Sequence, residues 1–240
     1  MHMESTSGIM DKNKNAGALS REKGELHMEE RMLKIYAKES NRVALHAIPG
    51  HFATSHSHIN YYIDITNLKT SVQEAKAAAA LLYQKIGTLS CIDTIVCMDG
   101  TEVIGAFLAE EFEQGSFVPT EQHESIYVVA PELNSNNQLI FRDNNRPSIE
   151  GKHVLLLLAT TTTGKTINRS MEGIRYYGGI VEGVASVFGT IDMVEDMQLN
   201  RIFTEEDLPS YAAYLPAECP FCKKGERIEA MVNGFGYSKF

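Results

Sequence analysis

Five apolar residues in succession, Val154 to Leu158, read as a strand buried on both faces. Around that run, short apolar segments alternate with longer amphipathic ones. Ser71 to Ile86 has an alanine-rich body behind a Ser71/Glu74 capping box, which predicts a helix. Gly87 ends it, Ile92 to Met98 predicts a short strand, and Val103 to Phe112 predicts the next helix. Ser125 to Ala130 and Gln138 to Arg142 bracket an Asn-rich turn, the pattern of a hairpin. A helix from about Asn168 to Tyr177 and a strand from Gly179 to Phe188 follow. Nearer the N-terminus, Glu29 to Ser40 predicts a short helix that packs through Met32, Leu33, Ile35 and Tyr36. Val43 to Ile48 predicts a strand ended by Pro49-Gly50, and Tyr61 to Ile65 another. Alternating strands and helices argue for an α/β fold with a mainly parallel central sheet flanked by helices. Residues 1–25 are polar and aperiodic and read as a disordered tail, and no internal repeat is visible.

Composition narrows the function. At 240 residues with 43% hydrophobic content, the chain has room for one large domain with small appendages. A formal net charge of −9 with no long basic run argues against nucleic acid as a partner. No apolar stretch of about 18 residues exists, so no membrane span is expected. The N-terminus lacks a signal peptide's apolar core, which points to a cytoplasmic protein. Four cysteines do not make a disulfide framework.

The chemistry gathers behind the apolar run, in Val154-Leu-Leu-Leu-Leu-Ala-Thr-Thr-Thr-Thr-Gly-Lys-Thr166. A buried strand that feeds a small-residue turn and a helix N-terminus is a phosphate cradle, because the first helical turn has free N–H groups and a partial positive charge. Thr160, Thr161, Thr162, Thr163, Gly164, Lys165 and Thr166 supply hydroxyls and an ammonium. One reading is a P-loop for ATP-dependent phosphotransfer, G-x-x-x-x-G-K-[ST], with Ala159 at the first glycine. Its second magnesium-holding strand would be Val187 to Asp192. Four consecutive β-branched residues resist the left-handed turns such a loop uses.

A second reading draws on four places between about Phe52 and Phe188. Phe52-Ala-Thr-Ser-His-Ser-His-Ile-Asn-Tyr-Tyr-Ile-Asp64 is similar to F-x-x-S-G-x-x-S-x-Y-Y-x-D. Ile92 to Gly105 matches a strand followed by a pyrophosphate-binding turn, and Ile126 to Ile140 stands where a flexible catalytic hairpin is expected. Thr162-Thr163-Gly164-Lys165-Thr166 matches the second half of h-h-h-h-D-D-x-x-T-T-G-x-T. In order and spacing these segments resemble the type I phosphoribosyltransferases, and most closely the orotate phosphoribosyltransferases. The resemblance implies a domain plan of hood, 26–70, core, 71–200, and C-terminal extension, 201–240. It implies binding of 5-phosphoribosyl 1-pyrophosphate (PRPP) with Mg2+, and transfer of phosphoribose to a nitrogenous base in pyrimidine biosynthesis. The threonine loop would hold the 5′-phosphate. Asp99, Gly100, Thr101 and Glu102 would flank the pyrophosphate and its metal, His56 or His58 would meet the base, and Arg142 would lie in the hairpin. A homodimer is implied by the family alone.

The family's acidic pair, which holds the ribose hydroxyls, falls on Leu158 and Ala159. A hydrogen bond to a charged group is worth roughly 1.5–3 kcal/mol, so the loss of several costs orders of magnitude in rate. The hairpin offers Arg142, Arg146 and Lys152 in place of a cluster of lysines with a histidine. Thr160 and Thr161 hydroxyls are the candidate replacements; the alternative is a non-catalytic sensor of PRPP or nucleotide. His46, His51, His56 and His58 are irregularly spaced with no acidic partner close in sequence, which does not by itself describe a metal site. Cys219-Pro-Phe-Cys222 is half of a tetrahedral Zn2+ site. A reduced pair in a tight turn is the simpler reading, and zinc shared across a dimer or completed by a histidine the alternative. Cys91 and Cys97 read as packing residues. Residues 231–240 are too apolar for a free end and are expected to dock.

Overall fold

The computed structural model describes residues 28–87, 91–115, 125–162 and 164–240. The expected tail, 1–25, lies outside them. The chain divides into two units, Met1–Arg31 and Met32–Phe240. Of the first, Met28–Arg31 forms a 3-10 turn.

The second unit opens on β1 (Leu33–Ala37), β2 (Ser40–Ala53) and β3 (His58–Asp64), followed by helices α1 (Thr66–Thr70) and α2 (Val72–Ile86). Strand β4 (Thr94–Cys97) leads to α3 (Glu102–Gly115), then to β5 (Tyr127–Val129), β6 (Glu132–Leu133) and β7 (Leu139–Ile140). The long strand β8 (His153–Thr161) feeds α4 (Lys165–Tyr176) and β9 (Ile180–Gly189). Beyond β10 (Met193–Val194) and β11 (Met197–Phe203) come β12 (Ala213–Tyr214), the short helix α5 (Pro220–Lys223), β13 (Ala230–Asn233) and β14 (Gly236–Lys239).

The central sheet has the order β10-β11-β9-β8-β4-β5. All its pairings are parallel except β10 with β11, so the α/β, mainly parallel architecture holds. Strand β8 sits in the middle because its side chains are apolar on both faces. Leu155, Leu157 and Ala159 join the core shared with α2 and α3. Val154, Leu156 and Leu158 join the opposite core with Ile167, Met171 and Ile174 of α4. This period-2 division puts Leu158 and Ala159 on opposite faces of the sheet. The second sheet, β12-β3-β2-β13-β14 with β1 on β2, combines strands from 33–64, the segment expected as the hood, with strands from 213–239.

Four expectations are corrected. The helix over 29–40 is instead β1, paired antiparallel with β2 from Leu33↔Ala47 onward. Its short apolar pattern suits either period, and pairing with β2 decides. Strand β2 does not stop at Pro49-Gly50; a register shift between Pro49 and Phe52 absorbs them and the strand continues to Ala53. Residues 125–130 do not form the hairpin's first arm. They form β5, parallel to β4 at the sheet edge, and the hairpin is the shorter β6–β7 pair. Its turn is held by Asn134 Oδ1, which accepts from the N–H groups of Asn136 and Gln138. The Ser71/Glu74 capping box is not formed at Ser71, whose side chain makes no cap hydrogen bond. Ser71 N–H closes α1 on the Asn67 carbonyl at 2.8 Å while its own carbonyl accepts from Ala75, so one residue joins two helices.

Candidate functional site

The chain leaves β4 for β5 on one side and β8 for β9 on the other, so β4 and β8 flank a topological switch point, where α/β sheets bind ligands beyond the carboxyl ends of their strands. A cavity of about 730 Å3 opens there. Its walls are Met98 and Asp99 after β4, Ala159 to Thr162 at the end of β8, and the first turns of α4. The Thr54–Ser57 turn of the hood and Asn233–Phe235 of the C-terminal hairpin complete it.

The end of the cavity expected to take a phosphate is built by Gly164. Its φ of 70° is left-handed, and it stands as the N-cap of α4. Asn168 N–H reaches the Gly164 carbonyl at 2.9 Å, so the helix starts at Lys165, three residues earlier than the sequence suggests. Lys165, Thr166 and Arg169 border the cavity from this helix. Ser170, wholly buried, borders it too, and its hydroxyl finds no hydrogen-bond partner among the described residues. Thr160 and Thr162 line the cavity. Thr161 also borders it, but its hydroxyl lies 3.3 Å from Ser186 Oγ and 3.4 Å from the Phe188 carbonyl. Thr163 lies outside the described residues.

On the opposite wall, the residues expected at the pyrophosphate separate. Asp99 and Gly100 adopt positive φ, 57° and 81°, and turn the chain sharply out of β4. Asp99 borders the cavity. Burial pushes its carboxyl above the usual carboxylate range, opposed by Lys69 and by a hydrogen bond accepted from Ala159 N–H. Thr101 is wholly buried, and its hydroxyl points to the carbonyls of Met98 at 2.8 Å and Leu157 at 3.3 Å. It ties β4 to β8. Glu102 is exposed at the first position of α3.

Lys69, which no motif singled out, is the organising cation of this wall. It is 8% exposed, and its ammonium donates to the carbonyls of Asp99 at 2.9 Å and Gly234 at 2.5 Å. Burial lowers its pKa from the ordinary 10.5, against the pull of Asp99. The Gly234 backbone packs so closely on Asp99 that an added Cβ would stand 2.5 Å from Asp99 Cβ. Gly234→Val is therefore expected to force the hairpin turn off Asp99 and cost about 1–3 kcal/mol, measured as a lower unfolding midpoint in urea.

The two hood histidines part company. His56 is exposed and borders the cavity, whereas His58 turns to His51 and the two cysteines of the extension. Arg142 does not line the cavity; it forms a two-pronged ion pair with Glu132 across the base of the β6–β7 hairpin, at 2.9 and 2.5 Å. Leu133, Asn137 and Leu139 carry that hairpin to the cavity rim. Asp192, considered for a second magnesium strand, pairs with Arg201 instead. Burial pushes the Cys97 thiol up to about 12, so it packs as a neutral side chain. The docking expected of residues 231–240 occurs through β13, which pairs with β2 and brings the hairpin to the cavity.

Among its described lining residues the cavity thus carries Lys69, Lys165 and Arg169 against one carboxyl, Asp99. Such a balance suits an anion. For Mg2+ the protein donor set is small. One partly buried carboxyl fits an ion held mainly by its ligand's phosphates better than a resident ion. No helix among the described residues is long and apolar enough to cross a membrane.

No protein-family model matches the chain. Over 83 residues it is 34% identical to the orotate phosphoribosyltransferase of Pelotomaculum thermopropionicum, which covers 32% of this chain and 40% of that protein. The chain spans about 40% of the length of the curated relatives it matches. A solved phosphoribosyltransferase from Corynebacterium diphtheriae superposes with a TM-score of 0.47 at 20% identity, over 68% of this chain and 90% of that one. The orotate phosphoribosyltransferase from Aeropyrum pernix gives 0.47 at 18% identity, over 68% and 92%. Over the 83 matched residues the chain is similar in sequence to orotate phosphoribosyltransferases.

Proposed function

We propose that the chain binds PRPP and transfers its phosphoribosyl group to a nitrogenous base, with an orotate-like base the first candidate. The observation that carries this reading is the cavity itself, where the cap of α4 and the Lys69–Asp99 wall face one another across the switch point. In the reaction a base nitrogen forms a bond to the anomeric carbon as that carbon's bond to pyrophosphate breaks. The nitrogen's proton leaves to solvent; Mg2+ bound to the substrate's pyrophosphate would offset the charge that grows there, with Asp99 the protein carboxyl at hand. Gly164 to Thr166 would hold the 5′-phosphate through helix N–H groups, hydroxyl and ammonium. Lys69 would place positive charge near the leaving pyrophosphate, where negative charge grows in the transition state. Thr160 is the hydroxyl left to face the ribose, since that of Thr161 is engaged within the fold. His56 and Phe235 border the same cavity and would meet the base.

The aliphatic pair Leu158 and Ala159 favours a second reading, in which the chain senses PRPP or a nucleotide without transfer. Calorimetric titration with Mg2+ and PRPP separates these readings when run beside a pyrophosphate-release assay with orotate. Binding that weakens about 10-fold or more in Lys165→Ala, with pyrophosphate released, supports the transferase. The same binding with no release from any base supports the sensor. Binding of ATP but not of PRPP would overturn both and leave the P-loop reading.

A further inference from the structure

The strongest cluster of metal-binding groups lies away from the cavity's phosphate end. His51 on β2, His58 at the start of β3, Cys219 at the N-cap of α5 and Cys222 within it each offer one ligand atom, and these atoms all lie within 4.8 Å of one another. The geometry points to a structural zinc site that fastens the C-terminal extension to the hood.

Three features support it. The first is spacing. His51 Nε2 lies 3.1 Å from His58 Nδ1, 3.4 Å from Cys219 Sγ and 3.7 Å from Cys222 Sγ, and Cys222 Sγ lies 3.3 Å from His58 Nδ1. A tetrahedron with Zn–N near 2.0–2.1 Å and Zn–S near 2.3 Å has edges of about 3.3–3.8 Å. The second is the tautomer. His51 Nδ1 lies 3.1 Å from the Glu226 carbonyl, which can only accept, so the ring proton sits on Nδ1 and Nε2 keeps its lone pair toward the cluster. A backbone carbonyl behind a ligating histidine is the usual way a protein fixes that orientation. The third is charge and burial. His51 is 3% exposed and Cys219 wholly buried. Two thiolates neutralise one Zn2+, so the occupied site buries no net charge.

Its place in the fold gives it a purpose. The ligands come from sequence positions 51–58 and 219–222, and the zinc would tie them just before β13 joins β2. That strand leads into the Gly234 turn lying on Lys69 and Asp99. The zinc would therefore hold one wall of the cavity without touching its ligand.

The test uses the full chain, produced with zinc in the medium, desalted and assayed by elemental mass spectrometry. About one zinc per chain is expected, with an X-ray absorption spectrum of two sulfur and two nitrogen ligands. Cys222→Ser changes an exposed ligand, should leave the chain folded, and should lower the zinc content by about 10-fold or more. Where a variant fails to fold, Co2+ titrated into metal-free wild-type protein should give the visible bands of tetrahedral dithiolate coordination. Chelation should speed tryptic cleavage at Lys223 and Lys224. Wild-type protein that takes up neither metal while both thiols react freely, or a Cys219–Cys222 disulfide in freshly isolated protein, would overturn the proposal. These readouts do not depend on PRPP, so their failure and that of the transferase reading are separable.

Discussion

Leu158→Asp, which puts a carboxylate where the sequence resemblance places an acidic residue, is expected to destabilise the chain by about 3–5 kcal/mol and to add no transferase activity. Leu158 is wholly buried and packs in the core that β8 shares with α4. The substitution removes a large apolar side chain from a site closed around it, and leaves a carboxyl with no partner there. Ala159, the next residue, faces the other way and borders the cavity. Urea unfolding of wild type and variant measures the effect directly. A variant of near wild-type stability would show that the strand end can rotate and present position 158 to the cavity.

Lys69→Met carries the second large effect, about 1–3 kcal/mol of stability. Methionine keeps much of the buried stem but gives nothing to the carbonyls of Asp99 and Gly234, which the ammonium now joins. The pH dependence separates this from ordinary repacking. Burial lowers the folded-state pKa of Lys69 below 10.5. In the window between that lowered value and 10.5 the unfolded chain binds the extra proton, so wild-type stability rises with pH there. The burial penalty on the charged amine is full below the window and relieved above it. The methionine variant should lack that rise. Unfolding curves at several alkaline pH values would show parallel profiles for the two proteins if Lys69 were not the group responsible.

The central sheet was legible because its signal is local. A five-residue apolar run, a helix with a glycine stop, and a threonine turn each announce themselves within a short window. The hood was less so. Leu33 to Ala37 became a strand because β2 pairs beside it, and most of that partner, Ala44 to Ala47, lies beyond 29–40. Lys69 gave no signal at all, since its role consists of two carbonyls, one 30 and the other 165 residues away. The histidines and cysteines were visible as types but not as a set. Two histidines 7 apart and a C-x-x-C pair 168 residues beyond the first become neighbours through the pairings of β12 with β3, where Tyr214 stands opposite His58, and of β13 with β2. A C-x-x-C lacking a second cysteine pair was the one hint that histidines elsewhere complete it.

The Gly234–Lys69 hydrogen bond also sets an order of events during synthesis. Strands β4 and β8 and the α4 cap can assemble before residue 234 is made, but the wall at Asp99 lacks its outer layer until then. A nascent chain therefore carries a buried-type lysine with only one of its two carbonyl partners, and the closure that completes it spans 165 residues. Fragments stopped before β13 would have the threonine loop without the finished pocket.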